Sequence, residues 1–323
     1  MKKPFFLLAS LIAATSLFSG CCENTVCNRH DSTLLMLRFR GTTTYTDEDW
    51  DNTFRIIKEN PGCCDEVWFS TGLGFPSMDV HRDRAQRINR GTSELKSIGV
   101  GSSLQVQMTI GHGDYLAAGE EHLYSELKWT RWTGSNGVVD KYCSCPRHPE
   151  FLNYMREMAH VYAETHPRSV WIDDDLRYNN HTPATDGSHI GCWCDGCIAD
   201  FNAATGGKWT AKTLSAALDD EKNAELAAEW EKFCISSLTD IARVIGEEFA
   251  KVSPQTRLGL QGGMSTGKRM MMETAILAEL HQVSGKAVCY RPGGGAYYDT
   301  ENAKSQIIKS MGCATFRKSM GDP

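Results

Sequence analysis

Residues 168–177 read RSVWIDDDLR, a short run of β-prone residues (Ser169 to Ile172) closed by three consecutive aspartates. Length and composition suit a strand covered on both faces, with charge placed where it ends. The same shape recurs on either side. STLLMLRFRG (32–41), DEVWFSTG (65–72) and VGSSLQVQMTIGHG (100–113) precede it, and RLGLQGG (257–263) and KAVCYRPGGG (286–295) follow. Helical segments separate them. Thr46 offers an N-cap with Asp49 three residues on, and Trp50, Phe54 and Ile57 recur at helical spacing. MDVHRDRAQRINRGTSELKSIG (78–99) is a second helix, and Pro149 opens a third with Phe151, Tyr154, Met155, Met158 and Tyr162 on one stripe. The stretch 192–254 is helical, broken at Gly206-Gly207, restarted at Thr210 and stopped at Pro254; it carries Leu226, Trp230, Phe233, Ile241 and Ile245 on one face. A further helix runs to about 283, AKSQIIKSMG (303–312) is expected to form the last, and 114–147 reads as a long loop.

Strict strand–helix alternation implies a parallel sheet with helices outside it, either doubly wound or a (β/α)₈ TIM barrel. The barrel is favoured on two grounds. No Gly-x-Gly-x-x-Gly turn follows the first strand, and polar or charged residues close one strand after another: Arg38 and Arg40, Ser70, His112 and Asp114, Asp173 to Asp175, Gln261, Tyr290 and Arg291. In a barrel those ends converge on one mouth, where active sites are built. About six βα units are visible in the 323 residues, so the barrel is expected to be incomplete here and the chain to be part of a longer protein.

Composition excludes some partners. With 41% hydrophobic residues, a net charge of −6 and no basic run beyond the extreme N-terminus, the chain reads as a folded protein without a footprint for nucleic acid. The start, MKKPFFLLASLIAATSLFSGCC, has two lysines, an apolar run and small residues before Cys21, as an exported protein's signal does. LFSGC resembles the lipobox of bacterial lipoproteins, which would make 1–21 the signal, Cys21 the lipidated residue, 22–31 a linker and 32–323 the barrel domain. The expected setting is the bacterial cell envelope, outer membrane or periplasm, with the membrane reached by the lipid anchor only.

Alternation along a strand would put Asp173 and Asp175 on one side, roughly 6.5 Å apart, and Asp174 on the other. Carboxylates crowded together cannot all ionise easily, and one of them gains the raised pKa of a general acid. Pairing with Arg177, helix capping or a divalent cation are other uses of the same residues. Arg38, Arg40, Arg177 and Arg291 would bind hydroxyls or an acidic sugar, or pair with the aspartates. His112 and His181 would hydrogen-bond substrate or assist proton transfer, Gln261 would contact it, and Trp171, Tyr178, Tyr290, Tyr297 and Tyr298 would stack on sugar rings or pack.

Of thirteen cysteines, Cys143 and Cys145 form one tight set and Cys192, Cys194 and Cys197 another. Three thiolates entering a helix need a fourth to close a tetrahedral zinc site, and Cys145 is the candidate; disulfides or buried thiols are the other reading. SCPRHPEF (144–151), IDDDLR (172–177) and CWCDGC (192–197) together resemble the family 42 glycoside hydrolases, β-galactosidases with a (β/α)₈ barrel. The resemblance covers roughly residues 140–205. It implies structural zinc on Cys145, Cys192, Cys194 and Cys197, and places Asp175 where that family has its acid/base glutamate and Asp174 where it has an asparagine. Aspartate is one methylene shorter, which displaces the acid, so the resemblance points to a glycosidic substrate other than a galactoside. The expected function is therefore exported glycoside hydrolysis at the barrel mouth, with Asp175 as general acid and Asp173 and Asp174 tuning it or holding substrate. A non-catalytic carbohydrate-binding lipoprotein on the same fold is the alternative.

Overall fold

The computed structural model describes residues 35–39, 46–112, 121–178, 180, 182–262 and 267–292. The expected signal (1–21), Cys21, the linker (22–31), Arg40, Asp114, His181, Tyr297, Tyr298 and the helix at 303–312 lie outside them. The compact unit that begins at Met36 carries everything below.

Six parallel strands build its sheet: β1 (Met36–Phe39), β2 (Glu66–Ser70), β3 (Gly101–Val106), β6 (Ser169–Ile172), β7 (Arg257–Gly262) and β8 (Cys289–Pro292). They pair in chain order, β1-β2-β3-β6-β7-β8. A doubly wound sheet reverses its order at a switch point; this one never does, so it is an incomplete (β/α)₈ barrel. Helices α1 (Asp47–Glu59), α2 (Met78–Ser97), α3 (Pro149–Ala163), α4 (Asp195–Thr205), α5 (Ala211–Leu218), α6 (Ala224–Val252) and α7 (Lys268–Ser284) make the crossovers. The expected caps are present. Thr46 with Asp49 forms a capping box on α1, and Thr210 with Thr213 forms one on α5. One expectation is corrected: the segment read as loop holds an antiparallel hairpin, β4 (Arg131–Thr133) with β5 (Val139–Ser144). Its strands are short and irregular in register, which leaves little periodicity to read.

Register gives the sheet two different faces. Phe39, Val67, Phe69, Leu104, Val106, Val170, Ile172, Leu258 and Leu260 enter the core beneath the helices. Alternate positions, Arg38, Trp68, Ser103, Gln105, Trp171, Gln261 and Arg291, belong to the inner, barrel-side face. At the outer layer Phe39 meets Trp50 edge-on at 4.8 Å and Trp50 stacks on Phe69 at 5.8 Å. Gly91 of α2 lets these rings reach the helix backbone, since a Cβ there would lie 2.8 to 3.0 Å from Phe54, Phe69 and Trp50. Among the described residues no helix is long and apolar enough to cross a membrane.

Candidate active site at the strand ends

Strand β6 stops at Ile172, and this decides the geometry of the aspartates. Asp173 still donates its N–H to Val106 of β3, but its carbonyl then accepts from Leu176 N at 3.1 Å and its Oδ1 from Asp175 N at 3.2 Å. The chain turns there. Strand alternation, which would have turned Asp174 away from its neighbours, therefore does not extend past Ile172, and oxygens of all three carboxylates lie within 4.8 Å of one another.

Their surroundings separate them. Asp173 is buried, accepts a hydrogen bond from Gln105 Nε2, and has its carboxyl held well above the usual range by burial and by the charges of Asp175 and Asp174. Burial and crowding thus raise Asp173, a residue that the sequence reading gave only a tuning or substrate-holding role. Asp174 goes the other way. Although burial opposes it, Arg177 at 2.6 Å, the hydrogen bond from Asp173 and Arg269 at 2.8 Å hold its carboxyl below the usual range. Asp175 receives His112 Nδ1 at 2.6 Å and Arg177 at 3.4 Å, and Asn180 Nδ2 ties its carbonyl to that of Gly111. The hydrogen bond that His112 donates to Asp175 raises its pKa more than burial lowers it, so the ring is shifted toward its protonated form. The expected pairing of Arg177 with the aspartates is present. Because two guanidinium groups already meet the Asp174 charge, the cluster is less suited to a hard cation than its three carboxylates suggest.

Beside the aspartates lies a floor of amides and aromatics on the inner face. Gln105 Nε2 also donates to Gln261 Oε1 at 3.2 Å, Gln261 Nε2 donates to Asp174 at 3.3 Å, and Arg38 and Arg291 donate to the side-chain carbonyls of Gln105 and Gln261. Both guanidinium groups sit over Trp68, with centroid distances of 5.0 and 4.5 Å. Trp171 meets Trp68 edge-on at 6.1 Å. The structure brings Arg38, His112, Trp171, Arg177, Gln261 and Arg291, all named from the sequence, to this one end of the sheet. Tyr290 is a correction: strand alternation puts it on the helix side, where its hydroxyl donates to Glu273 of α7 at 2.6 Å. Tyr178 is buried as well, bonded to the Cys234 carbonyl. Three contributors were missed: Trp68 and Gln105, which the register of β2 and β3 could have revealed, and Arg269, which no spacing connects to Asp174.

The cysteine cluster is a second, separate site. Cys145 Sγ lies 3.4 Å from Cys197 and 3.6 Å from Cys194, and with Cys192 the four sulfurs fall within 4.8 Å of one another. A disulfide needs about 2.05 Å, and none of the described cysteines is bonded. Four thiolates around one tetrahedral metal with bonds of about 2.3 Å would be separated by about 3.8 Å, so the donors fit such an ion. Cys145 follows β5 and the other three enter α4, so the cluster joins the loop after β3 to the loop after β6. Beside it Trp193 N donates to Thr133 O and Trp132 Nε1 to Gly191 O, both at 2.8 Å.

Fold and strand-end cluster together define a (β/α)-barrel protein with an acidic mouth. No family model matches the sequence, and a search of curated proteins finds no match. Among solved structures, the fold is similar to the beta-galactosidase from the psychrophilic Marinomonas ef1, with a TM-score of 0.53 and 12% identity over 84% of this chain and 43% of that one. The polyextremophilic beta-galactosidase from the Antarctic haloarchaeon Halorubrum lacusprofundi gives 0.54 and 12% identity, over 85% and 43%. The chain spans less than half the length of these neighbours. At that identity the likeness is one of fold.

Proposed function

We propose that the chain is a glycoside hydrolase-like protein that cleaves O-glycosyl bonds of a glycan at the C-terminal mouth of its sheet, with Asp173, Asp174 and Asp175 as the acid–base centre. The observation that carries this reading is three carboxyls converging at the strand end, with oxygens within 4.8 Å of one another and surroundings that push Asp173 up and Asp174 down. The flanking Trp68, Trp171, Gln105 and Gln261 suit a sugar, whose ring faces stack on aromatics and whose hydroxyls pair with amides. Cys145, Cys192, Cys194 and Cys197 hold structural zinc in this reading, with no open position for water, so the metal would fix two mouth loops and take no part in the reaction. Export and lipid attachment at Cys21 belong to the same proposal and rest on MKKPFFLLASLIAATSLFSGC alone.

The test is a screen for reducing-sugar release from a panel of oligosaccharides and polysaccharides. Turnover supports the proposal; binding of a glycan without turnover replaces it with the carbohydrate-binding alternative.

A further inference from the structure

Asp175 is the residue that sequence reading makes the general acid, but its side chain is only 5% exposed and is held between His112 and Arg177. The His112 side chain, bonded to it through Nδ1 at 2.6 Å, is 35% exposed. Asp174, at 21%, is the carboxylate with the greatest access. A proton donor must reach the leaving oxygen to within hydrogen-bond distance. Access therefore separates the roles.

We propose, on the glycosidase reading above, that His112 is the catalytic residue that hands the proton to the leaving oxygen, with Asp175 as the positioning residue that orients its ring. Nδ1 points at the Asp175 carboxylate, which directs Nε2 away from it, as in other carboxylate-oriented imidazoles. The imidazolium Nε2–H protonates the glycosidic oxygen as the C–O bond breaks, and the bond's electron pair stays on that oxygen. The anomeric carbon is left positively charged. Water then gives its hydroxide to that carbon and its proton back to the imidazole, so the enzyme is restored and one bond is hydrolysed. Asp175 and Asp174 favour the protonated form of the ring, and Arg177 opposes it. Gly111 supports the arrangement from the preceding position. Its φ is +127°, and a Cβ there would lie 2.8 Å from the Cys143 backbone and sulfur, so the backbone beside His112 is packed directly on the hairpin.

The experiment uses the full chain, H112Q and D175N. A panel of 4-nitrophenyl glycosides identifies the sugar, and the methyl glycoside of that sugar then serves as a substrate whose leaving group cannot depart without a proton. H112Q should lose about a hundredfold or more in kcat/KM on the methyl glycoside but less than about tenfold on the 4-nitrophenyl one. D175N should shift the alkaline limb of the wild-type pH profile to lower pH, because the imidazolium loses its carboxylate. An equal loss on both glycosides in H112Q, or an unmoved limb in D175N, overturns the role given to His112 and leaves the hydrolase standing. A wild-type chain that turns over none of the glycosides overturns the hydrolase reading and this role with it.

Discussion

Replacing Arg177 by methionine removes the guanidinium shared by Asp174 and Asp175, contacted at 2.6 and 3.4 Å, while keeping most of the side-chain volume. Breaking a buried ion pair from one side costs about 3–5 kcal/mol, because the remaining charge stays desolvated. Here Arg269 still reaches Asp174 at 2.8 Å and His112 still reaches Asp175 at 2.6 Å, which puts the loss at the lower end, about 3 kcal/mol near pH 7. At about 2–4 °C per kcal/mol for a domain of this size, the thermal midpoint should fall by about 6–12 °C. The sign of the pH dependence follows from Asp174. Its folded carboxyl lies below the ordinary 3.8, so the stability it draws from Arg177 is present above that value and is lost as pH falls through the lower folded one. Thermal unfolding followed by circular dichroism should therefore show a gap between wild type and R177M that is full at neutral pH and closes on acidification below the ordinary 3.8. R177K should fall between the two, since an ammonium cannot span both carboxylates as the guanidinium fork does. A midpoint change of under about 2 °C at neutral pH, or one that persists unchanged in acid, would refute the reasoning.

Other perturbations test other parts. Metal analysis of the purified chain should find one zinc per molecule, and C194S should lose it together with thermal stability; a metal-free wild type would remove zinc from the account. Gly91→Ala should lower the melting temperature even though alanine gains about 1 kcal/mol in helix propensity, because its Cβ meets three aromatic rings at 2.8 to 3.0 Å. A raised melting temperature would show that the aromatic layer yields. Phe69→Ala should cost about 3–5 kcal/mol in chemical denaturation, as a fully buried ring stacked under Trp50, and a loss below about 1 kcal/mol would place the core elsewhere.

Much of this fold could be read from apolar runs closed by polar residues, because strands covered on both faces write their length and their ends into the sequence. The choice between barrel and doubly wound sheet was reached from polar strand ends and is settled by pairing order, a property no local pattern encodes. The site was legible where register carries it: Arg38, Gln261 and Arg291 share a face with the aspartates because alternation puts them there. It failed in two physically different ways. Tyr290 obeys alternation and so points to the helices, although its neighbour Arg291 points inward. The aspartates escape alternation because the strand ends one residue before them, and only a turn lets three successive carboxylates converge. Arg269, on a helix after the next strand, meets Asp174 through tertiary packing alone. The cysteine motif was legible as a cluster, since spacing alone keeps Cys192, Cys194 and Cys197 close, and the fold brings Cys145 to them.

The central claim is that the acidic strand end performs glycosidic cleavage, and the most direct measurement is kcat/KM for glycan hydrolysis by D175N beside wild type, with folding verified by circular dichroism. The account predicts a folded variant whose rate falls by about a hundredfold or more, the usual worth of positioned acid–base catalysis. A folded variant that hydrolyses the same glycan at the wild-type rate would contradict it.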